Sequence, residues 1–157
     1  MNEGLLIAII GAAAAAVFGG LGSALGVQMA GKAAAGVVSE KPELFGKVLI
    51  LQALPGTQGI YGFLVAILVL VRLGLLAGGA PVLSAEAGWA MFGACVPSII
   101  VLPLSAYYQA KMAVNSIMMV AKQPEASAKG MTMTVLVETY AILALLASIL
   151  MIQGIPL

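Results

Sequence analysis

The chain has 157 residues, 62% of them hydrophobic and only 8% charged, where a soluble domain of this size carries roughly a quarter charged residues. A water-soluble fold is therefore excluded in favour of an all-α membrane protein. The net charge of +1 says nothing about nucleic acid, but there is no basic run to bind it, and with one cysteine and no histidine there is no intramolecular disulfide and no Cys/His metal site.

Four stretches, 4–31, 48–71, 87–110 and 130–157, each exceed the roughly 20 apolar residues that a bilayer-spanning helix needs. The first has no positive leading segment and is too long for the apolar core of a secretory signal, so it is read as the first span of the mature protein. It is rich in small residues: AAAAA at 12–16, then Gly19, Gly20, Gly22, Gly26 and Gly31. Small-xxx-small spacing, as from Gly22 to Gly26, lets helix backbones approach closely. A helix pair inside one protomer would use it, and so would an inner ring of copies meeting around an axis. Smallness on so many faces favours the ring, with Gly22 and Gly26 at the contact between copies.

The second span holds LPGTQGIYG at 54–62. Pro55 has no N–H to donate and Gly56 loosens the same turn, so a backbone carbonyl such as that of Leu54 is expected to be free. The third span begins near Trp89, an expected interfacial aromatic, and carries Gln109 in AYYQAK. The fourth carries a carboxylate, Glu138, in VLVETYAIL. Cys95 reads as a small packed residue and the methionines as core filler. Gln28, Gln52, Asn115, Tyr107 and Tyr108 read as packing or interfacial residues.

Lys32, Lys41, Lys47, Lys111, Lys122 and Lys129 all lie near the connections 39–47 and 121–129, and only Arg72 lies near the opposite ends. The positive-inside rule puts those two connections in the cytoplasm, with both termini and the loop 77–86 outside. Lys32 and Lys111 precede their connections by several residues. The first and third spans are therefore expected to project beyond the bilayer, or these lysines to snorkel.

Sliding the chain by 82 residues aligns its halves without a gap: Ser23-Ala24 falls on Ser105-Ala106, Pro42-Glu43 on Pro124-Glu125, Lys47 on Lys129 and Thr57 on Thr139. The chain reads as a single membrane domain of two parallel hairpins, 1–76 and 87–157. Glu138 aligns with Gly56, so only one of two equivalent positions keeps a carboxylate.

An intramembrane carboxylate costs several kcal/mol on most estimates and normally has a partner. Glu138 lies roughly 13 Å along its helix from Lys129, Gln58 roughly 16 Å from Lys47, and Gln109 roughly 18 Å from Ala121. Three spans thus bring polar groups to one level. Thr57 offers a hydroxyl, Gln58 and Gln109 amide carbonyls, and Glu138 the charge; oxygen ligands around one negative charge suit a hard monovalent cation. A proton needs only the carboxyl group in a dry site. Tyr61, one turn past Thr57, is placed to donate its hydroxyl to Glu138.

These residues resemble the proteolipid of V-type rotary ATPases, nearest its bacterial sodium-translocating form, through VETYAIL, LPGTQGIYG and the tandem hairpins. The resemblance covers nearly the whole chain and implies a homo-oligomeric ring turning against a membrane stator subunit that carries an essential arginine, beneath central-stalk subunits. It implies one Na+ held by Glu138, Thr57, Gln58, Gln109 and the Leu54 carbonyl, with Tyr61 bonding the glutamate, and ATP chemistry on other subunits. Tyr107 and Tyr108 beside Gln109 are the departure, and they bear on packing against a neighbour. A proton-carrying ring and a small four-helix cation or drug antiporter are the alternatives; the expected setting is a prokaryotic plasma membrane.

Overall fold

The computed structural model describes residues 2–79 and 82–156. Residues 80 and 81 of the expected outer loop and the terminal residues 1 and 157 lie outside them. Among the described residues there are five α-helices: α1 Glu3–Glu40, α2 Phe45–Ala53, α3 Thr57–Arg72, α4 Ala85–Lys122 and α5 Ser127–Gly154. Four spans are long and apolar enough to cross a membrane: α1, the segment Pro42–Arg72 that contains α2 and α3, α4, and the segment Pro124–Gly154 that contains α5. α1 and α4 have 38 residues each, roughly 57 Å at the helical rise, against an apolar bilayer core of about 30 Å. Of the two expectations for Lys32 and Lys111, projection beyond the bilayer is the one these lengths favour.

The 82-residue shift recurs in the local structure. Asn2 caps α1 by accepting from the Leu5 N–H at 3.2 Å, and Ser84 caps α4 by accepting from the Ala87 N–H at 3.1 Å. α1 ends at Lys41 with φ −135°, and α4 at Gln123 with φ −137°. Each is followed by a 3₁₀ turn begun by proline, Pro42–Leu44 and Pro124–Ala126, because proline's fixed φ suits the first position of a helical turn. The halves part at one place. The second span breaks into a 3₁₀ turn at Leu54–Gly56, around Pro55, where α5 runs unbroken through Glu138.

α1 and α4 make the most extensive pairing; α3 packs on α1, and α5 on α4. Both connections at the lysine-rich end are tied together: Lys41 Nζ donates to the Ala121 carbonyl in the last turn of α4 at 2.6 Å, and Lys47 Nζ to the Pro124 carbonyl in the 3₁₀ turn that follows at 3.0 Å. At the other end the Asn2 amide donates to the Leu83 carbonyl at 2.6 Å, and Arg72 to that of Ile155 at 3.1 Å.

The core between the helices mixes small side chains, at the points of closest approach, with large ones such as Leu51, Met91, Leu102, Ile117 and Ile152, while many other large apolar side chains face outward. This corrects the expected role of Gly22 and Gly26. Both are buried inside the protomer: a Cβ on Gly22 would sit 2.5 Å from Pro103 Cα, and one on Gly26 would sit 2.8 Å from Pro55 Cβ and 3.1 Å from the Ala106 carbonyl. Gly19 similarly makes room for α3, where its Cβ would sit 2.9 Å from the Gln58 carbonyl oxygen. α1 is small on several faces because two helices of its own protomer press on it. Its exposed face carries Leu6, Ile10, Val17, Leu21 and Leu25.

Gly22→Ala is therefore expected to strain the fold of the protomer itself, by the about 1–3 kcal/mol typical of overpacking. Gly46→Ala, with nothing within 4 Å of the added carbon, is expected to be neutral. Thermal unfolding in detergent measures both, and equal midpoints for the two variants would show that α1 and α4 do not need this approach.

Candidate functional site

Glu138 projects from the middle of α5 and is buried, with 7% of its surface exposed. Each carboxylate oxygen has a donor. The Tyr61 hydroxyl from α3 donates to Oε1 at 2.5 Å, and the Gln109 amide from α4 donates through Nε2 to Oε2 at 3.3 Å. Tyr61 is half-buried and Gln109 is fully buried. The spacing along three spans had placed Glu138, Gln58 and Gln109 at one level, and the structure links them in a chain, Gln58 to Gln109 and Gln109 to Glu138.

From the carboxylate an amide chain runs back to the proline turn. Gln109 Nε2 also reaches the Thr134 carbonyl at 3.4 Å. A backbone carbonyl and a carboxylate only accept, so the nitrogen end of Gln109 must face them. Its oxygen then accepts from Gln58 Nε2 at 2.5 Å. The second hydrogen of that nitrogen points to Ser105 Oγ at 3.3 Å, and the Ser105 hydroxyl donates in turn to the Val137 carbonyl, also at 3.3 Å. Gln58 Oε1 is left facing the Thr57 hydroxyl at 3.4 Å, while that hydroxyl has a nearer acceptor in the Leu54 carbonyl at 3.1 Å.

One expectation changes. The Leu54 carbonyl is not free: the 3₁₀ turn brings the Thr57 N–H to it, and the Thr57 hydroxyl folds back on it as well. Gln109 meets Glu138 with its nitrogen, since an anion draws donors. Thr57 touches Gln58 and Leu54 but makes no hydrogen bond to Glu138. Ser105 and Thr134 went unnoticed in the sequence, although Ser105 stands in the repeat and one helical turn before Gln109, and Thr134 stands one turn before Glu138. Among the described residues no buried side-chain nitrogen or oxygen lacks a hydrogen-bond partner, so the set closes on itself.

The remaining polar residues stand apart. The Gln52 amide packs over Gly31, where a Cβ would lie 2.7 Å from its nitrogen, and Gln28 and Asn115 are exposed. Tyr107 and Tyr108 are exposed and stack edge-to-face at 5.4 Å, with Lys111 Nζ 4.5 Å above the Tyr107 ring. Next to them on α4, Gln109 faces the opposite way, into the core. Cys95 is buried, as a small packed residue should be.

The α4–α5 seam carries further hydroxyl contacts on either side of Glu138. Ser98 and Ser148 pair at 2.8 Å, and Ser116 and Thr134 pair at 3.0 Å. The last two also lie within reach of the Gly130 carbonyl, at 3.0 and 2.8 Å, so with one proton each one hydroxyl donates to that carbonyl while the other donates across the pair. All four side chains are buried.

The chain is 42% identical over 151 residues to the V-type sodium ATPase subunit K of Enterococcus hirae, covering 96% of this chain and 93% of that protein. It is 39% identical over 155 residues to the A-type ATP synthase subunit K of Methanocaldococcus jannaschii, covering 99% of this chain and 66% of that protein. The family of ATP synthase C subunits matches twice, over residues 10–69 and 92–151, two stretches standing 82 apart as the structural repeats do. With one match on each hairpin and Glu138 inside the second, the chain belongs to the ATP synthase C-subunit family.

Proposed function

We propose that this protein is the rotor-ring proteolipid of a V-type rotary ATPase or ATP synthase, and that each protomer carries one cation, Na+, across the membrane on Glu138. The observation that carries the reading is the buried carboxylate of α5, received by donors from α3 and α4, at only one of two repeat-equivalent positions. The name of the Enterococcus hirae relative, a sodium ATPase subunit, supports sodium as the ion. So does the chemistry of the set: Thr57, Gln58 and Gln109 gather neutral oxygens into one cluster with Glu138, more than a proton needs.

In this reading the protein is one membrane domain of two hairpins, 1–76 and 87–157, with the lysine-rich connections in the cytoplasm of a prokaryotic cell. Copies form a ring in which α1 lies innermost. The ring turns against a stator subunit whose arginine faces the emptied carboxylate, and it bears the central stalk; nucleotide chemistry belongs to other subunits. Glu138 with its cation is neutral and can cross the lipid-facing part of the circuit. Emptied, it is an anion whose exposure to lipid is prohibitive, so it stays beside the stator arginine. Sodium takes the place of the donated hydrogen bonds: Gln109 turns its oxygen from Gln58 towards the ion, Gln58 and Thr57 add theirs, and the Leu54 carbonyl joins as the Thr57 hydroxyl moves. Tyr61 holds the loaded glutamate closed.

Glu138→Gln keeps the size and the hydrogen-bonding capacity of the side chain but removes its charge. The ring is expected to assemble at normal yield, and sodium uptake into vesicles holding the whole complex is expected to fall to background. Uptake at the wild-type rate would overturn the carrier role of Glu138.

A hydrophobic carbodiimide labels protonated carboxyl groups only, so bound sodium is expected to protect Glu138 in the purified ring. Labelling at fixed pH should slow as sodium rises from micromolar to millimolar, and potassium should protect far less. Thr57→Val or Gln109→Ala, each removing one neutral ligand worth about 1 kcal/mol, should raise the half-protecting sodium concentration roughly fivefold. Gln52→Ala should leave it unchanged. Labelling that follows pH alone and ignores sodium would assign protons to the ring.

A further inference from the structure

We infer that Ser105 is a positioning residue for the ion site: its hydroxyl retains the Gln58 amide nitrogen, so that Gln58 keeps its carbonyl oxygen turned towards Thr57 when Gln109 rotates to the ion. The inference rests on the cation-binding reading of the cluster around Glu138.

The Gln58 amide has two N–H groups and one oxygen, and its orientation decides which of them a cation meets. An amide nitrogen has no lone pair to offer a metal ion, so a half-turn of this group would exchange a ligand for two donors pointing at a positive charge. Two acceptors hold the nitrogen, Gln109 Oε1 at 2.5 Å and Ser105 Oγ at 3.3 Å. The first is lent rather than fixed, because a Gln109 oxygen that ligates an ion must leave Gln58. Ser105 is then the acceptor that remains.

Three features suit Ser105 to the task. Its proton is committed to the Val137 carbonyl at 3.3 Å, a group that only accepts, so a lone pair of Oγ is available to Gln58. It stands one helical turn before Gln109 on the same face of α4, and it is 6% exposed, so water does not compete strongly for it. Its repeat partner Ser23 serves another purpose, accepting the Gly59 backbone N–H at 2.7 Å between α1 and α3. Both halves keep a serine, and only in the second does it meet a glutamine.

The test uses the carbodiimide assay on the purified ring with Ser105→Ala, Ser105→Thr and Ser98→Ala. Ser98→Ala removes a buried α4–α5 hydroxyl pair that touches neither glutamine, so it reports what general loosening of that seam does. Ser105→Ala is expected to raise the half-protecting sodium concentration roughly three- to tenfold, the range for one lost orienting hydrogen bond, with sodium-free labelling of Glu138 unchanged. Ser105→Thr, which keeps the hydroxyl, should restore protection, and Ser98→Ala should match the wild type. Should Ser105→Ala fail to assemble, Ser105→Cys, whose sulfur accepts only weakly, is read in the same way. Wild-type protection in Ser105→Ala, or an equal loss in Ser98→Ala, would overturn the assignment while leaving the sodium site standing. Absence of sodium protection in the wild-type ring itself would overturn both.

Discussion

Glu138 puts a negative charge into the middle of a helix whose other residues suit hydrocarbon, and the protomer is arranged around receiving it. Insertion scales set the cost of such a charge at about 2.5–3.5 kcal/mol, and burial without partners costs more. The charge is met by a phenol from α3 and an amide from α4, so its accommodation requires three spans to stay in register. α3 and α5 are otherwise in modest contact, each leaning mainly on its own inner partner, α1 or α4. The Tyr61–Glu138 bond is thus a principal link between the two outer helices, and it sits on the one group whose charge the proposed cycle changes. Transport and local cohesion act on the same atoms.

The two hairpins share their boundaries to the residue but not their means of cohesion. In the second, α4 and α5 are joined by Ser98 with Ser148, Gln109 with Glu138, and Ser116 with Thr134. The equivalent positions of the first hairpin hold Ala16 with Ala66, Val27 with Gly56, and Ala34 with Gln52. The first seam is closed at these positions mainly by small and apolar contacts, with the Gly59 N–H to Ser23 bond elsewhere along it, and the second is laced with hydroxyl and amide contacts above, at and below the carboxylate. In hydrocarbon a hydrogen bond between helices contributes on the order of 0.6 kcal/mol, and unlike apolar packing it prescribes a register. A helix that must present one carboxylate to donors on two neighbours gains from such fixing. The first hairpin has no comparable charge to place, and it is also the one interrupted by the turn at Leu54–Gly56.

Much of this was legible because polar residues are scarce in the spans. Four apolar stretches, two lysine-rich connections and an ungapped self-alignment follow from composition alone. Height along the helix locates Glu138, Gln58 and Gln109 well enough to foresee one polar level, and Tyr61, one turn past Thr57, was within reach of it. Residue type does not say which end of an amide faces its neighbour; the Thr134 carbonyl and the carboxylate decide that for Gln109, and Gln109 with Ser105 then decides it for Gln58. Small residues are ambiguous in another way. Gly22 and Gly26 advertise a close approach without naming the partner, and Pro103, on the far side of the repeat, became visible only with α1 and α4 in place. Serines are the least legible, since within a helix they can satisfy themselves on the preceding turn. Nothing local distinguished Ser98, Ser105 and Ser116 from such self-satisfied residues.

The repeat also explains why one protomer of four spans holds a single buried carboxylate. Gly56 lacks the carboxylate, but the missing charge is only the most visible difference. Where Glu138 has Gln109, Gly56 has Val27, whose methyl group lies 3.4 Å from the position a Cβ would take. Where Tyr61 donates to Glu138, the equivalent position in α5 is Leu143, which is exposed and apolar. A carboxylate at 56 would face hydrocarbon on the side where its twin finds an amide. The first half has therefore lost the surroundings of a site along with its charge, and the space is given to the 3₁₀ turn that brings Leu54, Thr57 and Gln58 to the cluster around Glu138. In the proposed cycle the ion load of the ring is set by both halves: one carries the carboxylate, and the other, with none of its own, supplies Leu54, Thr57, Gln58 and the tyrosine to the cluster.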